Sequence, residues 1–270
     1  MMRITDTVKQ LLIINVLFFI GSYLVGDTAT DVLALHFPGS PNFKPWQFIT
    51  YMFMHGGIMH ILFNMFGLYS FGSLLEQMWG PKKFIFFYLS CGVGAALLHL
   101  GINYFEIQNT LEPISYLNLT NDTTHQLLNA PFKSGGVIDT DLFTRSVVDI
   151  LKRSGKTLGE DDLQIIFDSA VINQSTMLGA SGAIYGIIVA FAFMFPEIPL
   201  MLMFVPIPIK AKYFVPGLLL MDLFLGLKGQ SIFGFGDDGI AHFAHLGGAL
   251  IGFIMMWYWK KNENNSRRWN

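Results

Sequence analysis

Charge is scarce in this chain. Asp, Glu, Lys and Arg make up only 13% of its 270 residues, against about 25% in an average soluble domain. That shortage, beside a high apolar content, excludes a disordered chain, a collagen-like fibre and a conventional soluble enzyme. A formal net charge of −2 points to neither nucleic acid nor a bulk acidic partner. Cysteine is scarcer still. The single Cys91 lies inside an apolar run, so no disulfide framework or cysteine-based metal site can form within one chain. The sequence also lacks His-Glu-x-x-His, the signature of many zinc proteases. What it has is 52% hydrophobic residues and a mean hydropathy of +0.47. They fall in long stretches, the pattern of a multi-pass membrane protein.

Six apolar stretches approach the length needed to cross a bilayer core of about 30 Å. They are roughly Leu11 to Leu24, Ile58 to Leu75, Phe84 to Ile102, Met177 to Phe195, Tyr213 to Leu227 and Ile240 to Trp259. Several are short and rich in glycine, which suits an all-α bundle whose interior admits polar groups and water. The spans divide the chain into helices 1–3 in residues 1–105, an insertion at 106–175, helices 4–6 in 176–260 and a tail at 261–270. Arg3 and Lys9 before the first stretch could mark a signal peptide. No small-x-small site follows Val25 cleanly, so an uncleaved first helix is expected.

Basic residues set the orientation. Arg3, Lys9, Lys82, Lys83, Lys210, Lys212, Lys260, Lys261, Arg267 and Arg268 fall on one side of a six-helix arrangement. Only Lys44 and Lys228 lie in short loops on the other, so both termini are expected in the cytoplasm, with a bacterial inner membrane as the expected location. Trp257, Tyr258 and Trp259 before two lysines read as an interfacial anchor. The insertion is polar and acidic. Leu142, Phe143, Val147, Val148, Ile150 and Leu151 repeat at helical spacing within it, and Ser154-Gly155 ends that helix. Thr157-Leu158-Gly159-Glu160 reads as a capping box starting a second helix, so a small helical hairpin outside the membrane is expected. Gly155-Lys156-Thr157 resembles the end of a P-loop, but Ile150 stands where the upstream glycine is required.

Strongly polar side chains in apolar spans are costly and point to function. His55, His60, Asn64, Ser181 and His245 stand out. Each alone reads as a packing or helix-bridging residue; their joint pattern is what suggests chemistry. Ser181 lies in Gly179-Ala180-Ser181-Gly182 at a helix start, where unpaired backbone N–H groups can meet a developing oxyanion. Gly248 and Gly252 after His245 form a GxxxG pair that admits a partner helix to backbone contact. If that partner carries Ser181, the imidazole can serve as its general base. His242, three residues earlier, competes for this role in a poorer glycine context. His60 and Asn64, four residues apart on one helical face, suit a side-chain oxyanion hole. Glu76 reads as an interfacial charge. Asp222 reads as satisfying a backbone or bundle partner, and no acidic residue is evidently placed to orient His245, so a dyad rather than a triad is expected.

Taken together, His55-Gly56-Gly57-Ile58-Met59-His60-Ile61-Leu62-Phe63-Asn64-Met65, Gly179-Ala180-Ser181-Gly182 and Ala244-His245-Leu246-Gly247-Gly248 resemble the rhomboid intramembrane serine proteases. The resemblance covers nearly the whole chain except the insertion. It implies a six-helix fold, Ser181 as nucleophile and His245 as base. It also implies an oxyanion hole of His60, Asn64 and the Ser181 N–H, with Tyr185 packed on the catalytic histidine. Gly179, Gly182, Gly248 and Gly252 support the site. Implied partners are the bilayer and the transmembrane segments of other proteins, cleaved without cofactor or metal. The chain departs from the pattern at Gln47, where many members carry arginine after the tryptophan, and in its long insertion.

Two rivals remain. Gly234-Phe235-Gly236-Asp237 matches the Gly-x-Gly-Asp of aspartyl intramembrane proteases, but no Tyr-Asp occurs upstream. A transporter or an inactive rhomboid-like protein that binds rather than cleaves is the alternative. A transporter should show internal repeats, and none is evident.

Overall fold

The computed structural model describes residues 4–202, 205–228 and 240–266, and they are mostly helical. In chain order the helices are α1 Asp6–Val25, α2 Asp27–Leu33, α3 Gln47–Thr50, α4 Ile58–Gly67 and α5 Ser73–Trp79. They continue with α6 Pro81–Leu111, α7 Asn121–Leu128, α8 Thr140–Arg153, α9 Glu160–Gln174, α10 Ser181–Met194, α11 Ala211–Lys228 and α12 Ile240–Ser266. Gly234–Asp237 lies outside the described residues, as do Arg3, Arg267 and Arg268.

Among the described residues, three segments are long and apolar enough to cross a membrane: Asp6–Val25, Ile58–Trp79 and Pro81–Leu117. The fourth expected span is shorter. Helix α10 starts at Ser181, not Met177, and its 14 residues reach about 21 Å at 1.5 Å per residue. Gly179, with φ of +120°, holds a conformation that keeps the preceding chain out of the helix. Pro196 follows Phe195 and disfavours helical backbone there, which ends α10 on the other side.

The chain forms two compact units, one of Met1–Leu35, Pro45–His99 and Met177–Asn270, the other of His36–Lys44 and Leu100–Thr176. In the first, α4 and α5 join through a π-helical turn, Leu68–Gly72. Gly80 (φ +78°) then ends α5 and Pro81 opens α6, the expected asymmetry of helix ends. Glu76 is not an interfacial charge. It is 5% exposed, and its carboxylate accepts from the Val8 N–H at 2.9 Å, the Thr7 N–H at 3.1 Å and the Thr5 hydroxyl. It therefore caps the N-terminus of α1. Gln47 is fully buried and also caps: its amide donates to the Asp31 and Val32 carbonyls at the end of α2, at 3.2 and 3.4 Å. The neutral amide thus has a structural task of its own at the position where arginine was expected. Lys83 lies 4.1 Å from the Trp259 ring centroid, and Trp79 meets the same ring edge-on.

In the second unit, Phe132, Phe143, Val147, Leu151, Ile166 and Ala170 share one core. Helix α8 is capped by Asp139, whose carboxylate accepts from the Leu142 N–H at 2.8 Å. The cap of α9 sits two residues later than expected. The Asp162 carboxylate accepts from the Gly159 N–H at 2.7 Å, so Gly159 rather than Thr157 starts that helix. The unit holds more than a helical hairpin. It includes α7, capped by Thr120, and a two-stranded ribbon pairing Lys133–Ser134 with Val137–Ile138. Gly135 and Gly136, both at positive φ, make its turn.

Candidate active site

Glycine decides how α10 and α12 meet. A Cβ built on Gly252 would lie 2.7 Å from the Gly186 Cα and 2.9 Å from its carbonyl oxygen. One on Gly248 would overlap the Gly182 carbonyl. The two helices are therefore in backbone contact through Gly182 and Gly186 on one side and Gly248 and Gly252 on the other, as a GxxxG pair permits. Across α12, a Cβ on Gly247 would lie 2.9 Å from the Gly94 carbonyl oxygen and 3.0 Å from the Ala95 Cα, so α6 approaches as closely.

That contact sets two side chains against each other. The Ser181 Oγ, at the first position of α10, lies 2.9 Å from the His245 Nε2 on α12. The Tyr185 ring, one turn on from Ser181, stacks on the His245 imidazole with centroids 4.2 Å apart and planes 10° apart. This stacking fixes the ring plane. The His245 side chain keeps 19% exposure, so the pair is shielded but not sealed.

The loop before Ser181 is held from below. The Gly179 N–H donates to the Tyr51 carbonyl at 2.9 Å, and the buried Tyr51 hydroxyl donates to the Gly92 carbonyl at 2.7 Å. A Cβ on Gly179 would fall 2.6 Å from the His60 Nε2 and 3.7 Å from the Asn64 Nδ2. Both side chains of α4 therefore face the backbone just ahead of Ser181. The Gly56 N–H approaches the His60 Nδ1 at 3.4 Å. With Nδ1 accepting, the ring proton belongs on Nε2, the nitrogen facing Gly179. Asn64 is 6% exposed, and its Nδ2 has no hydrogen-bond partner. A buried, unused donor is uncommon.

His55 does not join this group directly; its ring packs edge-on against His60 with centroids 5.1 Å apart. It backs the His60 ring.

Asp222 finds its bundle partners on α12. Asp222, 1% exposed on α11, places Oδ1 2.5 Å from the His242 Nδ1 and 3.4 Å from the His245 Nδ1. An acidic group does face His245. The sequence signal was there, a carboxylate inside an apolar helix, but nothing in the spacing said which helix it would face. Tyr51 left no such signal. The ligand atoms of Asp222, His242 and His245 lie within 4.8 Å of one another, close enough to suggest a metal site. Two ligands of a tetrahedral zinc stand about 3.3 Å apart, however, and the 2.5 Å separation of Asp222 and His242 is that of a hydrogen bond.

Comparison with known proteins places this arrangement in context. The Rhomboid domain matches residues 42–106 and 162–262, leaving out most of the insertion. An uncharacterized mitochondrial rhomboid protein of Schizosaccharomyces pombe is 27% identical over 228 residues, 81% of this chain and 52% of that protein. The rhomboid protease GlpG of Salmonella newport is 38% identical over 71 residues, 26% of each chain. The match thus spans about half the length of the yeast relative and a quarter of the bacterial one. With the domain match covering more than half of its length, the chain belongs to the rhomboid family.

Proposed function

We propose that the protein is an intramembrane serine endopeptidase that cleaves transmembrane segments of other membrane proteins. One observation carries the reading: a serine hydroxyl and an imidazole nitrogen from separate apolar helices lie 2.9 Å apart, beside two side chains able to donate a hydrogen bond.

In this reading His245 Nε2 takes the Ser181 proton as the Oγ attacks the scissile carbonyl carbon, forming a tetrahedral oxyanion. The Asn64 Nδ2, the His60 Nε2–H and the Ser181 backbone N–H donate to that oxyanion. His245 then returns its proton to the leaving amine, and the amide C–N bond breaks. Water, deprotonated by the same imidazole, attacks the acyl-enzyme and frees Ser181. No cofactor enters these steps.

The membrane frame belongs to the same proposal. Residues 1–105 and 176–260 supply six spans, 106–175 lie outside on the face opposite the basic loops, and the tail from 261 lies with the basic side. Helix α10 is too short to cross alone, and Ser181 at its start would lie below the outer surface, within reach of water. The named relatives come from a mitochondrion and from bacteria, so orientation is defined here by the basic side.

Co-reconstituting the protein in liposomes with single-span reporter proteins tests the reading. Cleavage within the reporter's span is expected from the unaltered protein and from neither Ser181→Ala nor His245→Ala. Reporter that co-purifies with the folded protein but stays intact would instead favour a non-cleaving, helix-binding relative.

A further inference from the structure

Asp222 is used by none of the steps above, yet its position is demanding. It is the carboxylate of an otherwise apolar stretch of α11, 1% exposed, and no Lys or Arg among the described residues forms an ion pair with it. A buried carboxylate needs donors, and the groups converging on it are two imidazoles of α12 and the Tyr185 hydroxyl of α10. His242 Nδ1 lies 2.5 Å from Oδ1 and His245 Nδ1 3.4 Å from the same oxygen.

We propose that Asp222 is a positioning residue that holds His245 in the Nδ1–H tautomer, anchored for this task by His242. The inference rests on the serine-protease reading and extends its two-residue machinery to three. It follows from the two ends of one ring. For His245 to accept the Ser181 proton its Nε2 must be bare, so the neutral ring must carry its proton on Nδ1. The acceptor facing Nδ1 is the Asp222 oxygen. At 3.4 Å this hydrogen bond is long, as catalytic contacts often are without substrate. It shortens when His245 becomes an imidazolium facing a carboxylate. Tyr185 stacks on the ring face and fixes its plane, but a ring flipped by 180° within that plane would put Cε1 where Nε2 faces Ser181 and Cδ2 where Nδ1 faces Asp222. An acceptor opposite Nδ1 favours the orientation that keeps both nitrogens in place. His242 takes the shorter bond to the same oxygen, so the carboxylate is pinned from α12 before His245 needs it.

Because the contact strengthens only once His245 is charged, its loss falls on kcat rather than KM. The test compares Asp222→Asn, Asp222→Glu and unaltered protein for cleavage kinetics and thermal midpoint in one detergent. Asp222→Asn is expected to lower kcat by about 100- to 10,000-fold, the upper figure being the loss when the acid of a full triad is neutralised, with KM within about twofold. Asp222→Glu is expected to recover at least about tenfold of that loss. An Asp222→Asn protein with kcat within about threefold of the original overturns the proposal. So does a loss that Glu fails to recover and that parallels a fall in thermal midpoint.

Nitrogen NMR of unaltered protein with labelled histidine reads the tautomer without any substrate or variant. Neutral His245 protonated on Nδ1 supports the proposal, and protonation on Nε2 overturns it. Cleavage that survives Ser181→Ala would instead end the serine-nucleophile reading itself, leaving the tautomer result to stand alone.

Discussion

Replacing Gly252 by alanine adds one methyl group where α12 touches α10. The new Cβ would lie 2.7 Å from the Gly186 Cα and 3.1 Å from its carbonyl carbon. Carbon atoms rest at about 3.5 Å or more, so the helices must part by about 0.8 Å. The obstacle is backbone on both sides and cannot rotate away. Such overpacking costs about 1–3 kcal/mol of stability. The same parting stretches the 2.9 Å contact between Ser181 and His245 to about 3.7 Å, beyond useful hydrogen-bond range. A misplacement near 1 Å lowers rate by about 100-fold. Thermal unfolding and cleavage rate in the same detergent give both quantities. Gly21→Ala is the control, because nothing lies within 4 Å of its Cβ position in α1. Helical Gly→Ala there should add about 0.5–1 kcal/mol and leave the rate alone. A Gly252→Ala protein with unchanged midpoint and unchanged rate would refute the claim that glycine contact sets the catalytic spacing.

Further outcomes follow from single side chains. Asn64→Leu, near in size, should lower kcat by about 100- to 1,000-fold. Its midpoint should hold or rise, because the lost donor has no partner in the resting protein; a parallel loss of both would make Asn64 structural. Glu76→Ala removes the acceptor for the first amides of α1 and should cost about 1–3 kcal/mol while leaving the catalytic rate of folded protein intact. An unchanged midpoint contradicts the capping role. Lys210, then Lys212, pull the exposed Glu197 carboxyl down from its ordinary 4.5 to about 2. A carboxylate depressed on folding stabilises above its unfolded value and loses that contribution as pH falls. Stability should therefore drop more steeply between about pH 4.5 and 2 in unaltered protein than in Glu197→Gln. Equal slopes would contradict the pairing.

Much of the site could be read from residue order because its determinants are local. Ser181 between small residues, His245 ahead of a GxxxG pair, and His60 with Asn64 one helical turn apart each carry their meaning within a few positions. The structure sets them against a common point. Partnership across the bundle was less legible. That Asp222 would face α12, that Glu76 would reach back to cap α1, and that Tyr51 would hold Gly179 depend on contacts spanning 20 to 128 positions of sequence, which spacing does not encode. The start of α10 is hard to read from sequence for a related reason. Hydrophobicity marks what can lie in lipid, and it ran through Met177 and Leu178. The backbone at Gly179 decides where α10 starts. In the second unit, Gly135 and Gly136 are the local mark of the ribbon.

The central claim is that Ser181 is a nucleophile because His245 makes it one. Treating the folded protein with a fluorophosphonate and locating the adduct by mass spectrometry measures this directly. The account predicts a single adduct on Ser181 that forms at least about 100-fold more slowly in His245→Ala. An absent adduct, or one forming at the same rate without the imidazole, would contradict it.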